Sequence, residues 1–279
     1  MKGLIVAAGY GSRFLPVTKT IPKEMLPILN IPSIEFIIKE FTDSGITDIL
    51  IISSRRKKVL EDYFDREIEL EWVFEREKDE KKLREIQPAK ANVHFIRQQE
   101  MKGTGQALLL AKSFMGNDPF VVAYPDDIFL SDKPLAAQLI EKYRETQCTV
   151  LSTMHNPPDL NRYGVLALDE KGVFVRDIVE KPAKGQEPSQ EASCGRYLYT
   201  PEIFEHLEAD FKKHGQGEFF HISALKKLAE QNKVVFQAID GIRLDTGDPK
   251  GYLRSILLYA NEIPEYRAIL AEFYRNNQF

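Results

Sequence analysis

Apolar residues along this chain come in short unbroken runs separated by stripes of helical spacing. The runs at residues 4–8 (LIVAA), 48–52 (DILII), 93–96 (VHFI), 119–124 (PFVVAY) and 149–154 (TVLSTM) show no apolar/polar alternation. Strands of that kind are covered on both faces. Between them, Ile34, Ile37, Ile38 and Phe41 fall at i, i+3, i+4 and i+7, one face of a helix that Gly45 closes. Ala107, Leu108, Leu110 and Ala111 mark a second helix, and Leu135, Leu139 and Tyr143 a third. Strand, loop, helix and strand in succession is the order of an α/β protein with a parallel sheet between two helical layers.

The pattern changes after residue 155. Residues 163–168 and 173–179 flank the turn DEKG and predict an antiparallel hairpin. The polar stretch 183–193 reads as a mobile loop. Helices are expected near 201–207 and 223–229, a strand at 234–239, and C-terminal helices carrying Leu253, Ile256, Leu257 and Ala260 on one face. Residues 55–90 are dense in Glu and Lys, which predicts a solvent-exposed helical insertion centred on 65–90. Without repeats or a low-complexity linker, 1–279 is expected to form a single domain with parts 1–154, 155–245 and 246–279.

Composition narrows the partners. A formal charge of -4 on 279 residues argues against nucleic acid and against an anionic membrane surface. No apolar run approaches the roughly 18 residues that span a bilayer, and the N-terminus starts directly in a strand pattern rather than a signal peptide. Cys148 and Cys194 lie far apart without metal-ligand spacing, as expected of free thiols in a reducing cytosol. A cytoplasmic protein is expected.

The chemistry concentrates where the first run ends, in Gly9-Tyr10-Gly11-Ser12-Arg13, with Lys23 ten residues further on between Pro22 and Pro27. Glycines let backbone N–H groups approach phosphate oxygens, and spaced cations neutralise the remaining charge. A dinucleotide turn is disfavoured because Phe14 stands where its third glycine belongs, and no Walker string occurs. A purely structural glycine turn stays open. Asp126 and Asp127 follow a strand, where open α/β sheets bind ligands; a helix N-cap pair is the alternative. Asp245 follows another apolar-to-polar junction, while Asp248 reads as a helix N-cap. Glu180 and Lys181 close a strand, where a solvated surface pair is the ordinary reading. His94, His155, His206, His214 and His221 form no nucleophile pair and no metal cluster. His94 reads as a core histidine, and Trp72 and Phe219-Phe220 as packing.

Several strings in order, AAGYGSRFLPVTKTIPKEMLPI, RQQEMKGTGQA, YPDDI, NRYGV, IVEKP, GRYLYTPEIF and RLDTGDPKGYL, resemble the sugar-1-phosphate nucleotidylyltransferases over nearly the whole chain. Within that family the likeness is to the bacterial uridylyl-transferring branch. The resemblance implies a Rossmann-like mixed, mostly parallel sheet flanked by helices, of the nucleotide-diphospho-sugar transferase type, with a smaller antiparallel sugar-binding substructure. It makes 1–154 the nucleotide part and 155–245 the sugar-phosphate part. It also implies UTP and glucose 1-phosphate as substrates, Mg2+ as cofactor, and a homodimer or homotetramer. By the same resemblance Arg13, Lys23 and Asp126 are catalytic, and Asp126 and Asp245 hold the metal. Ala8, Gly9, Gly11, Gln98, Gly103 and Asp127 bind the nucleotide, and Gly164, Glu180 and Lys181 bind the sugar phosphate.

Pro125, Thr104 and the segment GEFFHISAL depart from the family's usual residues, and none removes a charge the chemistry needs. Three rival readings remain: the same reaction with another nucleotide or sugar, a non-catalytic nucleotide-sugar-binding homologue, and a dinucleotide-dependent oxidoreductase. The third is disfavoured by Phe14.

Overall fold

A computed structural model describes residues 1–277. Its centre is a nine-stranded mixed sheet. Four neighbours, Asn92–Arg97, Asp48–Ser53, Lys2–Val6 and Phe120–Ala123, run parallel in that order. Glu191–Tyr199 then joins antiparallel to Phe120–Ala123 and leads to Gly164–Leu168 and Val175–Glu180. It also pairs with Thr149–His155, which carries Val234–Ala238 in parallel.

Covering both faces explains the unbroken apolar runs. Leu4, Leu50, Ile52, Phe120 and Val122 enter one core with Leu108, and Ile5, Ile49, Ile51 and Val121 enter the other with Ile37 and Phe41. Consecutive strand residues point to opposite faces, so a two-faced strand is apolar at every position. Helix Ser33–Asp43 buries its expected stripe, Ile34, Ile37, Ile38 and Phe41, at no more than 1% exposure. Each such side chain contributes about 1.5–3 kcal/mol. Gly45, at φ 78°, then turns the chain so that the Ile46 N–H reaches the Phe41 carbonyl. The charged insertion is helical over Lys58–Tyr63, Ile68–Glu77 and Glu80–Glu85.

Four expectations are corrected. The stretch 183–193 is not a loop throughout, because Glu191–Tyr199 is a strand and Glu191 sits buried against Thr153 and His155. Its polar residues are held by cross-strand hydrogen bonds, which a hydropathy pattern does not register. His94 is exposed on the sheet-edge strand Asn92–Arg97, with its ring against Phe114 at 4.9 Å. Trp72 is 59% exposed and lies beneath the Arg76 guanidinium. Phe219 packs in the core as expected, but Phe220 is 53% exposed. An unforeseen two-stranded ribbon, Asp127–Leu130 with Ile242–Asp245, pairs Asp127 directly with Asp245.

Candidate active site

The first strand ends at Val6 and the chain continues bound to the sheet, with the Ala7 N–H on the Ile52 carbonyl at 2.9 Å. Gly11 then takes φ 69°, and the Thr18 hydroxyl donates to its carbonyl at 2.7 Å. A side chain there would be strained and would press on Thr18. Beneath the loop lies an ion pair that the sequence pattern hid inside a surface-like RRKK run. Lys57, 4% exposed, donates to both Glu24 oxygens at 2.7 and 2.8 Å and to the Ala7 carbonyl. Burial pushes the Lys57 ammonium below its ordinary range, and Glu24 opposes that shift.

Lys23, beside Glu24, reaches across to the Asp126 Oδ2 at 2.7 Å. Burial alone would neutralise both groups. Their mutual attraction, together with Glu24 beside Lys23 and with a backbone hydrogen bond and Arg13 beside Asp126, outweighs it, leaving Lys23 raised and Asp126 lowered, so both stay charged. Arg13 enters from the loop and donates to the Gly247 carbonyl at 3.3 Å. A Cβ built on Gly247 would lie 3.1 Å from Asp245 Oδ1 and 3.5 Å from both Asp126 Oδ2 and Arg13. Asp126, Asp245 and Arg13 therefore flank one point.

Asp127 turns the other way. Its Oδ2 accepts from the Gly195 N–H at 2.8 Å and its Oδ1 from Arg243 Nε at 2.6 Å. Burial raises its pKa, with Arg243 pulling down. The carboxylate expected on the nucleotide is thus engaged within the protein. Arg243 also contacts Asp245 at 3.3 Å and the Tyr163 hydroxyl at 3.3 Å, joining the ribbon to the residue before strand Gly164–Leu168.

Arg13, Asp126, Asp127, Gly164, Glu180 and Asp245 line one cleft of about 350 Å³. Two other cavities are larger, at about 580 and 690 Å³, but neither gathers these charged groups. Gly164 lies against Glu180, with 2.9 Å from a built Cβ to Glu180 Oε1. Lys181 is exposed at the strand end, at φ 46°, and does not line the cleft. Ala8 is buried, while Gly9 borders a small hollow with Thr18 and Lys57. Gln98 and Gly103 form a separate group: the Gln98 amide donates to the Gly103 carbonyl at 3.1 Å and to Gln106 at 2.8 Å. Asp248 is the expected N-cap, accepting from the Lys250 and Gly251 N–H groups.

Sequence reasoning gave no role to Lys57, Arg243, Gly195 or His221. It also passed over Arg196, fully buried and fastened to Glu40 at 2.7 and 2.8 Å, whose guanidinium reaches the Asp127 carbonyl. Isolated charges beside apolar residues carry no local signal of burial. Gly195 and Arg196 stood inside GRYLYTPEIF, His221 inside GEFFHISAL and Arg243 inside RLDTGDPKGYL, but nothing in those strings assigned them a partner; Lys57 stood in none.

The sequence profile described as Nucleotidyl transferase matches residues 2–262. A Staphylococcus epidermidis protein named UTP--glucose-1-phosphate uridylyltransferase is 40% identical, covering 98% of this chain and 96% of its own. A Bacillus subtilis protein of the same name is 39% identical over 98% and 95%. Among solved structures, a UDP-glucose pyrophosphorylase from Acinetobacter baumannii superposes with a TM-score of 0.88 at 31% identity, covering 98% and 99% of the two chains. A UTP-bound structure from the same organism gives 0.87 at 30% identity, covering 98% and 97%.

Proposed function

The chain belongs to the nucleotidyl transferase family, and on that premise we propose that it transfers a uridylyl group from UTP to glucose 1-phosphate, forming UDP-glucose and pyrophosphate. One observation carries the reading: Arg13, the Lys23–Asp126 pair, Asp245 and Glu180 converge on a single cleft. In the reaction, a phosphate oxygen of the sugar phosphate attacks the α-phosphorus of UTP, and the bond to pyrophosphate breaks. The attacking oxygen is already anionic at neutral pH, so no general base or protein nucleophile is needed. The protein's task is alignment and neutralisation of a crowded polyanion.

In this reading the backbone at Ala8, Gly9 and Gly11 cradles the nucleotide, and Gln98 and Gly103 face the base. Arg13 and Lys23 stabilise the charge that develops on the α-phosphate and the departing pyrophosphate. Gly164 and Glu180 hold the sugar, and Lys181 closes on its phosphate from the rim. Asp127 orients Arg243 instead of binding nucleotide. Asp126 and Asp245 suit a hard divalent cation such as Mg2+: both are oxygen donors, 31% and 36% exposed, flanking one point. Held by these two carboxylates, the ion would supply charge neutralisation to the phosphates. A homodimer or homotetramer in the cytoplasm completes the reading. It is supported by exposed Leu253 and Ile269 on the C-terminal helices, and among the described residues no helix is long and apolar enough to cross a membrane.

The test is a panel of nucleoside triphosphates against sugar 1-phosphates, with Mg2+ and pyrophosphate detection. UTP with glucose 1-phosphate should give the highest kcat/KM. A higher value for another pair would replace the substrate assignment.

A further inference from the structure

We propose that His221, within the strap formed by residues 219–222, is a positioning residue that fixes the nucleobase loop against the turn bearing Asp126, and that it governs nucleotide affinity rather than sugar-phosphate affinity. This rests on the uridylyltransferase reading of the cleft.

The strap grips the loop through its backbone. The Phe219 N–H donates to the Lys102 carbonyl at 2.7 Å, and the Phe219 carbonyl accepts from the Gly105 N–H at 2.8 Å. A Cβ on Gly103 would sit 2.6 Å from the Phe219 oxygen, and one on Gly105 would sit 2.6 Å from its ring. Both glycines, Gly103 at φ 88°, are therefore required by the strap itself. Two residues on, His221 Nδ1 stands 2.9 Å from the Thr104 hydroxyl and 3.3 Å from the Tyr124 hydroxyl. Thr104 opens helix Thr104–Met115 directly after the loop, and Tyr124 precedes Asp126 by two residues. Ile222 then lines the cleft. Four consecutive residues thus touch the base loop, the carboxylate turn and the sugar cavity. From within, Gln98 holds the same loop through Gly103.

Burial alone does not account for a histidine here. Its ring lies among Tyr124, Tyr197 and Tyr199, with centroids 5.5 to 6.2 Å away, a place an apolar side chain would fill as well. A polar atom at the Nδ1 position joins the hydroxyls of Thr104 and Tyr124, which also contact each other, in one network across separate elements; an apolar side chain would drop out of it. Burial also holds the ring neutral, its pKa lowered to about 4.

The experiment compares the wild type with His221→Leu, His221→Asn and Thr104→Val. The readouts are KM for each substrate, calorimetric binding of UMP, thermal melting and pH–rate profiles. His221→Leu should raise KM for UTP and weaken UMP by about five- to twentyfold, the loss of one or two hydrogen bonds, leaving KM for glucose 1-phosphate nearly unchanged. Thr104→Val should shift the same way. His221→Asn, which keeps a polar atom near Nδ1, should recover most of the affinity, and all pH profiles should superimpose. Unchanged UMP affinity in a folded His221→Leu overturns the strap, as does an equal rise in both KM values without rescue by Asn. If His221→Leu does not fold, Thr104→Val and His221→Asn decide by the same criteria. Normal UMP binding by a wild type that makes no UDP-glucose sinks the functional reading alone.

Discussion

Removing the buried cation beneath the glycine loop should separate the worth of an ion pair from the damage of breaking it. Lys57 and Glu24 are 4% and 1% exposed, with contacts of 2.7 and 2.8 Å. At an effective dielectric near 20, charges at this separation attract by about 6 kcal/mol. Withdrawing each ion from water costs several kcal/mol, so the intact pair lies close to break-even. Stranding one member does not. Lys57→Met should therefore destabilise by about 3–5 kcal/mol, whereas Lys57→Met with Glu24→Gln should lose only about 1–2 kcal/mol, mostly from the Ala7 carbonyl left without its donor. Glu24→Gln alone strands the ammonium. The lowered Lys57 pKa means the unfolded chain binds more protons just below 10.5, so stability rises with pH through that window. Loss of Glu24 widens the window downward, and the Glu24→Gln deficit should shrink as pH rises toward 10.5. Urea unfolding of the four proteins measures all of this, provided the slopes agree. Equal losses in the single Lys57→Met and the double variant, within about 0.5 kcal/mol, would refute the stranded-charge argument.

Arg13→Ala should lower turnover by about 10²–10³ with little change in melting, as for loss of one transition-state donor; near-normal turnover removes Arg13 from the chemistry. Asp126→Asn should lose at least about 10² in turnover, while Asp127→Asn should mainly lower stability, since its partners are Gly195 and Arg243. Kinetics and urea unfolding of the pair decide, and the reverse ranking would make Asp127 the ligand. Asp248→Ala should cost about 1 kcal/mol at pH 7. The backbone N–H groups of Gly251 and Lys250 hold the Asp248 pKa below 3.8, so its contribution is present above that value and fades as pH falls through the depressed one. Chelation of divalent ions should abolish turnover, with Mg2+ restoring it; activity surviving exhaustive chelation contradicts a metal on Asp126 and Asp245.

The parallel half of the fold was legible because two-faced strands and helical stripes write themselves in hydropathy, as at Leu4 and Ile5 or at Ile34 and Phe41. Glu191–Tyr199 was not, since its start is polar and its order comes from partners on Thr149–His155. The ribbon Asp127–Leu130 was hidden by its brevity and by the aspartate that opens it. Candidate site residues surfaced through motif strings, which mark positions near ligands. Lys57, Arg196 and Arg243 support those positions from across the fold, through partners 33, 156 and 116 residues away. Their burial is a tertiary fact, and a charged residue in sequence reads as surface until the fold supplies its partner.

Adjacent aspartates divide their work because of where a strand begins. Asp126 ends the turn after Phe120–Ala123, and Asp127 is the first residue of the ribbon. One step along an extended backbone reverses the direction of the side chain. Asp126 therefore meets Lys23 in the cleft, while Asp127 meets Gly195 and Arg243 on the other side. The same register places Asp245 opposite Asp127, so one guanidinium bridges both carboxylates. Three aspartates gathered at this density would repel one another without cations beside them. Lys23 answers Asp126, and Arg243 answers Asp127 and Asp245 together. Among the described residues, that leaves Arg13, held by a neutral carbonyl, as the cation in this group not committed to a carboxylate. Under the proposed reaction, a polyphosphate entering the cleft would meet Arg13 without first breaking an ion pair, whereas Lys23 would have to be shared between Asp126 and the ligand.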